Sequence, residues 1–251
     1  ETYDEHRGRT DFLDYYANRH DIWEKSHTDV ACEQHAQCKS KVGDGSRCDL
    51  FHDLCTLPYA ERTEKPIVYT LTVNFPDKYR AQNDLIERGW NQAFQETVNS
   101  LKYGGTKLVT CIDDDAELAN RGDDGMTCCT AEERAAGDDA CMGDMFVIED
   151  NSCNASNVQR YLDGNPDVWA EVESYTEGGS ITPDNLIKVC AATQAASLRL
   201  GATPRFHWEQ LGDLRYNFVS YVHSPSSASP LGYGPTYADP ETGQAISANA
   251  N

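Results

Sequence analysis

The segment Ile67-Val-Tyr-Thr-Leu-Thr-Val-Asn-Phe75 alternates strictly. Ile67, Tyr69, Leu71, Val73 and Phe75 project to one side, and Val68, Thr70, Thr72 and Asn74 to the other. Period two in β-branched and aromatic residues predicts a strand, ended by Pro76. A helix is expected over residues 80–101, because Ile86, Trp90, Ala93, Phe94, Thr97 and Leu101 recur at spacings of three and four. On that stripe Trp90 and Phe94 face the core, while Arg88, Asn91, Gln92, Gln95 and Glu96 face away. Gly104-Gly105 stops the helix, and residues 107–112 predict a second strand. Strand, long helix, strand is a β-α-β unit, which commits the chain to a sheet with helices packed on it.

The cysteines constrain the rest: Cys32, Cys38, Cys48, Cys55, Cys111, Cys128, Cys129, Cys141, Cys153 and Cys190. An even number in polar loops predicts disulfides and an oxidising compartment, hence a secreted or cell-surface chain. The pairing stays open, except that vicinal Cys128 and Cys129 take different partners, since a ring across one peptide bond is strained. Cys32-x2-His35-x2-Cys38 and Cys48-x3-His52-x2-Cys55 also offer the donors of tetrahedral zinc. The alternative, two bridges stapling a loop with almost no apolar residues, agrees better with the remaining cysteines.

The 251 residues accommodate one large domain or two small ones. Lysine and arginine number 21 against 41 aspartates and glutamates, a net charge of −20. Such a surface repels phosphates, so nucleic acid is not an expected partner; it serves solubility. No apolar run approaches the ~18 residues of a membrane span. With neither an initiator methionine nor a leader, the chain reads as a mature exported protein.

Residues 1–56 form an acidic, cysteine-containing arm with scattered aromatics, Tyr3, Phe12, Tyr15, Tyr16, Ile22 and Trp23. Residues 11–24 could coil as a helix; an extended arm docked on the body is preferred. Residues 111–144 are a Cys/Asp-rich insertion in which Asp113, Asp114, Asp115, Asp123, Asp124, Asp138 and Asp139 cluster. Clustered carboxylates at turns can hold calcium, but no D-x-[DN]-x-[DN]-G loop is present, and a solvated loop pinned by disulfides is the default. Residues 145–148 predict a strand. Short helices follow, one capped by Ser156 and one marked by Val168, Trp169 and Val172. Thr182 and Pro183 open a longer helix lined by Leu186, Val189, Cys190, Thr193, Ala196 and Leu200. Arg205, Phe206 and Trp208 read as a strand edge.

Near the end, residues 214–222 alternate as a strand, a Gly/Pro-rich loop follows, Ala238–Gly243 is a turn, and Ala245–Ala248 is a short strand. LRYNF followed by PLGYGPTYADPETGQAIS resembles the segment just upstream of the catalytic helix in large secreted bacterial metzincin-like zinc metallopeptidases. PIVYTL with W-N-x-A-F is similar to the opening strand and first helix of that fold. DMFVIED, SNVQRYLDGNPDVW and ITPDNLIKVC extend the likeness weakly, to roughly residues 55–251. The resemblance implies an α/β (α+β) domain over residues 57–251: a mixed twisted sheet with backing helices, a metzincin-like upper subdomain with disulfide-stapled insertions.

For function, the resemblance implies the N-terminal, substrate-edge portion of a secreted zinc metallopeptidase, not catalytic by itself. Leu231, Gly232, Tyr233 and Gly234 would wall the substrate, or merely permit turns. Ala245, Ile246 and Ser247 would offer a sheet edge for a peptide to extend by β-augmentation. The zinc motif H-E-x-x-H-x-x-G-x-x-H is absent. Of His6, His20, His27, His35, His52, His207 and His223, no two lie four apart with a glutamate after the first. No cofactor is therefore expected within this chain apart from possible calcium, and zinc only with a downstream catalytic segment. The alternative is a non-enzymatic extracellular surface or assembly module. Expected partners are a peptide along the edge, a C-terminal catalytic segment or a neighbouring subunit.

Overall fold

The computed structural model describes residues 2–4, 9–11, 19–73, 75–111, 128–222, 234–240 and 242–250. Strands β1 (Thr2–Asp4) and β2 (Arg9–Asp11) pair antiparallel. Next come β3 (His27–Ala31), helix α1 (His35–Lys41), β4 (Cys48–Asp49) and β5 (Leu54–Thr56), whose sheet runs β3-β5-β4. The core of this unit is Cys32, Cys38, Cys48 and Cys55, with Val30 and Val42 against them. Bridges Cys32–Cys48 and Cys38–Cys55 use all four sulfurs, so this cluster is stapled and not a thiolate zinc site. So small a unit cannot hold itself on apolar burial alone, and its cross-links stand in for a core.

Strand β6 (Ile67–Leu71) leads to α2 (Arg80–Val98), which continues through a π-type turn, Asn99–Tyr103, to Gly104 at φ 64°. The chain then forms β7 (Val109–Thr110), β8 (Cys128–Cys129) and α3 (Ala131–Ala136) before β9 (Phe146–Glu149). The strand expected at 107–112 is not part of the five-stranded sheet among the described residues: β7 pairs with β8, and Leu108 bridges to Cys141. Bridges Cys111–Cys128 and Cys129–Cys141 tie that stretch into the insertion and give the vicinal cysteines separate partners. The crossover is instead β6-α2-β9, parallel from Ile67↔Phe146 to Thr70↔Glu149. Asp113, Asp114, Asp115, Asp123 and Asp124 lie outside the described residues.

Helices α4 (Ala155–Asp163), α5 (Pro166–Val172) and α6 (Leu186–Arg199) pack on one another. Val158, Leu162, Val168, Val172 and Val189 fill their core, around the Cys153–Cys190 bridge. Phe206 and Trp208 close this core from a segment outside any strand. Asn154, not Ser156, caps α4, accepting from the Asn157 N–H. Thr182 opens a turn one step before the α6 cap, Asn185. Strands β10 (Asn217–Val219), β11 (Thr236–Ala238) and β12 (Ala245–Ala250) complete a five-stranded sheet ordered β11-β12-β10-β6-β9. All its pairings are parallel except β11 with β12, so the class is mixed α+β. Ten cysteines form five bridges, in keeping with an exported chain. Among the described residues no helix is long and apolar enough to cross a membrane.

Helix α2 turns inward a face rotated by roughly a quarter turn from its apolar stripe, so that Phe94 of that stripe still packs on the core. Ile86, Trp90 and Leu101 are 49%, 53% and 40% exposed, whereas Asn83, Asn91, Gln95 and Val98 are buried. The reason is the outer side of β9, an edge strand whose N–H groups need acceptors. Asn91 Oδ1 accepts from the N–H groups of Met145 (2.7 Å) and Phe146 (3.2 Å), and Glu87 Oε2 accepts from Ile148 (2.9 Å). Gln95 Oε1 accepts from the Thr110 N–H at 2.6 Å, and its Nε2 donates to the Gly143 carbonyl at 2.9 Å. Asn99 pairs with both backbone groups of Lys107. Positions 87, 91, 95 and 99 share one helical face, so a single row of polar side chains closes the β9 edge and the loops beside it. An orphaned buried N–H costs about 1–3 kcal/mol, and several would outweigh what fuller burial of Trp90 returns. Trp90 keeps part of its burial by stacking on Phe94, which stacks on Phe146.

One member of this row has a pH signature. Burial raises the Glu87 carboxyl above its ordinary range; the Ile148 N–H opposes that rise and the nearby Asp144 and Asp84 charges add to it. A carboxyl raised in the fold gives its full stabilisation below the ordinary carboxylate pKa and loses it as pH rises through the raised value. Glu87→Gln keeps an acceptor for Ile148 and removes the charge. The variant is expected to be more stable than wild type at about pH 7 and equal to it near pH 3, read from urea midpoints.

Candidate functional site

Strands β11 and β12 form a hairpin around Asp239-Pro-Glu-Thr-Gly243. Asp239 Oδ1 accepts from the Thr242 N–H at 3.2 Å, and the Gly243 N–H donates to the Asp239 carbonyl at 2.8 Å. Gly243 sits at φ 71°, a left-handed conformation that a side chain would disfavour. The register runs Thr236↔Ala248, Tyr237↔Ser247 and Ala238↔Ala245, so Ile246 is an extra residue bulged out of β12.

This pairing overturns the expectation that Ala245, Ile246 and Ser247 form a free edge. They lie on β12, flanked on one side by β11. On the other side the Ala245 N–H donates to the Arg19 carbonyl, the Ala248 N–H to Asn217 Oδ1, and Asn249 and Ala250 pair with β10. A strand satisfied on both flanks has no ladder left for a peptide. Ser247 and Ala248 are 3% and 4% exposed. Of the residues expected to wall a substrate, Leu231, Gly232 and Tyr233 lie outside the described residues. Gly234 lies beside β12: a Cβ there would meet the Asn249 carbonyl at 4.0 Å, ordinary contact, so close approach does not demand glycine.

The sheet thus has two edges of different character. The β9 edge is closed by Asn91 and Glu87. At the other, among the described residues, no strand lies outside β11. The Asn249 N–H donates to the Pro235 carbonyl at 3.0 Å, so Pro235 faces β12 and the alternation turns the N–H and C=O of Thr236 outward. Tyr237 is half exposed. Pro235 and Pro240 bracket the strand, which keeps the open edge short. Proline is tolerated on edge strands because a missing N–H there breaks no ladder, and the same property limits unwanted pairing. Thr236–Ala238 was hidden in the Gly/Pro-rich loop; two β-forming residues, threonine and tyrosine, between prolines were the available signal.

The metzincin resemblance implies zinc held by two imidazoles one turn apart on a helix. Among the described histidines only His35 lies on a helix, so no helix presents two imidazoles one turn apart. No family model, curated protein or solved structure matches the chain.

Proposed function

We propose that this chain is an exported, disulfide-stapled α+β module that receives an extended peptide along the outer side of β11. On the metzincin resemblance it is the substrate-edge portion of a zinc metallopeptidase, with the zinc-bearing helix supplied by a different segment. The observation that carries the reading is the asymmetry of the two edges: side chains seal β9, whereas among the described residues β11 lies outermost on its sheet. An antiparallel edge gives a peptide backbone hydrogen bonds, and neighbouring side chains give selectivity. Few outward groups fit between Pro235 and Pro240, and at about 0.5–1.5 kcal/mol each they give weak, length-limited binding. The missing H-E-x-x-H favours a second reading, a non-enzymatic module using the same edge.

Extended peptides are expected to shift the backbone amide resonances of residues 236–238 and to leave those of Phe146 and Ile148 in place. Thr236→Pro removes an outward N–H while leaving the Tyr237 N–H in the ladder, and should abolish the shifts. Peptide shifts that persist in this variant, or that map to β9, count against the reading. A segment bearing the zinc helix separates the two versions: added to the chain with zinc and an unfolded protein substrate, it should give hydrolysis under the first version and none under the second.

A further inference from the structure

The order β3-β5-β4 brings His27 beside Asp49 and His52, more than twenty residues further along the chain. His27 begins β3, Asp49 ends β4, and His52 lies in the turn between β4 and β5. His27 Nε2 lies 2.9 Å from Asp49 Oδ2, and His52 Nδ1 lies 3.0 Å from the same oxygen. The three donor atoms fall within 4.8 Å of one another.

We infer that His27 Nε2, His52 Nδ1 and Asp49 Oδ2 bind one divalent transition-metal ion of the zinc class, with a further coordination position open to the adjoining pocket. This rests on the geometry of the N-terminal unit and is independent of the β11 edge. Zinc sits about 2.0–2.2 Å from nitrogen and oxygen ligands, so tetrahedral donors stand about 3.3 Å apart. The two spacings to Asp49 Oδ2 need to open by only a few tenths of an ångström for an ion to replace the shared protons, and the two imidazole nitrogens lie within 4.8 Å of each other. Two imidazoles and a carboxylate suit zinc and its neighbours better than calcium or magnesium, which take all-oxygen shells.

The surroundings hold the donors as a metal site requires. Asp49 Oδ1 is engaged by the N–H groups of Phe51 (2.9 Å) and His52 (3.4 Å), which leaves Oδ2 for both rings. His27 Nδ1 lies 2.9 Å from Ser26 Oγ; that partner fixes the ring and, as an acceptor, the tautomer that frees Nε2. The Cys32–Cys48 and Cys38–Cys55 bridges fix the hairpin that carries Asp49 and His52. The site lines a pocket of about 520 Å³ that also touches Trp23, Tyr59 and Arg62, so ligand exchange has a path. A net charge of −20 draws cations to the molecule.

The test uses the intact, disulfide-bonded chain and zinc chloride in isothermal titration after exhaustive chelation. One equivalent is expected to bind in the wild type. His27→Gln, His52→Gln and Asp49→Asn should each weaken binding by about 100-fold or more, and Ser26→Ala by about 10-fold, the usual range for a partner behind the ligands. Cobalt(II) should give the visible absorption of a low-coordinate nitrogen–oxygen site in wild type and none in the variants. Because a substitution could disturb the hairpin, imidazole resonances are also followed in the wild type: zinc should move those of His27 and His52 and leave those of His35 and His207. Failure of the wild type to bind zinc, an affinity unchanged in the His27→Gln/His52→Gln pair, or shifts confined to other histidines overturns the assignment and leaves the three residues as a hydrogen-bonded strut.

Discussion

Asn91→Ala is expected to lower the unfolding free energy by about 3–5 kcal/mol, far more than Trp90→Ala on the same helix. The substitution orphans the Met145 and Phe146 N–H groups at the sealed edge of the sheet and removes the 2.8 Å bond to Asp144. Two buried donors at about 1–3 kcal/mol each set the range, and the better helix propensity of alanine returns only about half a kcal/mol. Trp90 is 53% exposed, so its truncation should cost about 1–2 kcal/mol, well under the 3–5 typical of a core aromatic. Urea unfolding of the two variants gives the order directly. Equal losses, or a larger loss for Trp90→Ala, would mean that the apolar stripe and not the polar row is the packed face.

The double substitution Cys153→Ala/Cys190→Ala should cost about 4 kcal/mol and lower the melting temperature by roughly 8–15 °C. The bridge closes a loop with a sequence separation of 37, the longest of the five, and loop-closure entropy grows with that length. Both sulfurs also sit in the helical core at 1% and 0% exposure, so alanine leaves a gap among Val158, Val189 and their neighbours. Differential scanning calorimetry on wild type and variant measures the shift. A change under about 3 °C would place the stability of α4, α5 and α6 in their apolar packing alone.

Elements that announce themselves by local period were legible. The alternating run at 67–75 supplies β6 as far as Leu71, α6 buries Val189, Cys190, Thr193 and Ala196 along one side, and the apolar run at 145–148 falls mostly within β9. What the sequence could not give were facts about pairing. The inward face of α2 is set by donors on Met145, Phe146 and Ile148, more than fifty residues downstream (|i−j| 54, 55 and 61), and no count of apolar spacings registers them. Nor does anything within Ala245–Ser247 say that β11 lies outside it; strand order decides which strand is the border. For the same reason His52 read as a zinc donor only beside the cysteines, and its meeting with His27 and Asp49 waited on β5 taking β3 on one side and β4 on the other. Where an amide row such as Asn91, Gln95 and Asn99 recurs every four residues, the sequence did carry a hint, because that spacing defines a face as firmly as leucine does.

The disulfides follow one another along the chain in separate groups, with separations of 16 and 17, then 17 and 12, then 37. No group straddles the next. A polypeptide delivered amino end first can therefore lock each knot soon after it emerges, with nothing yet to come needed as a partner. The central sheet has no such freedom, since Asn217 docks on Val68 across 149 residues. Covalent closure thus needs only nearby chain, whereas insertion of β10 beside β6 needs segments from both halves of it.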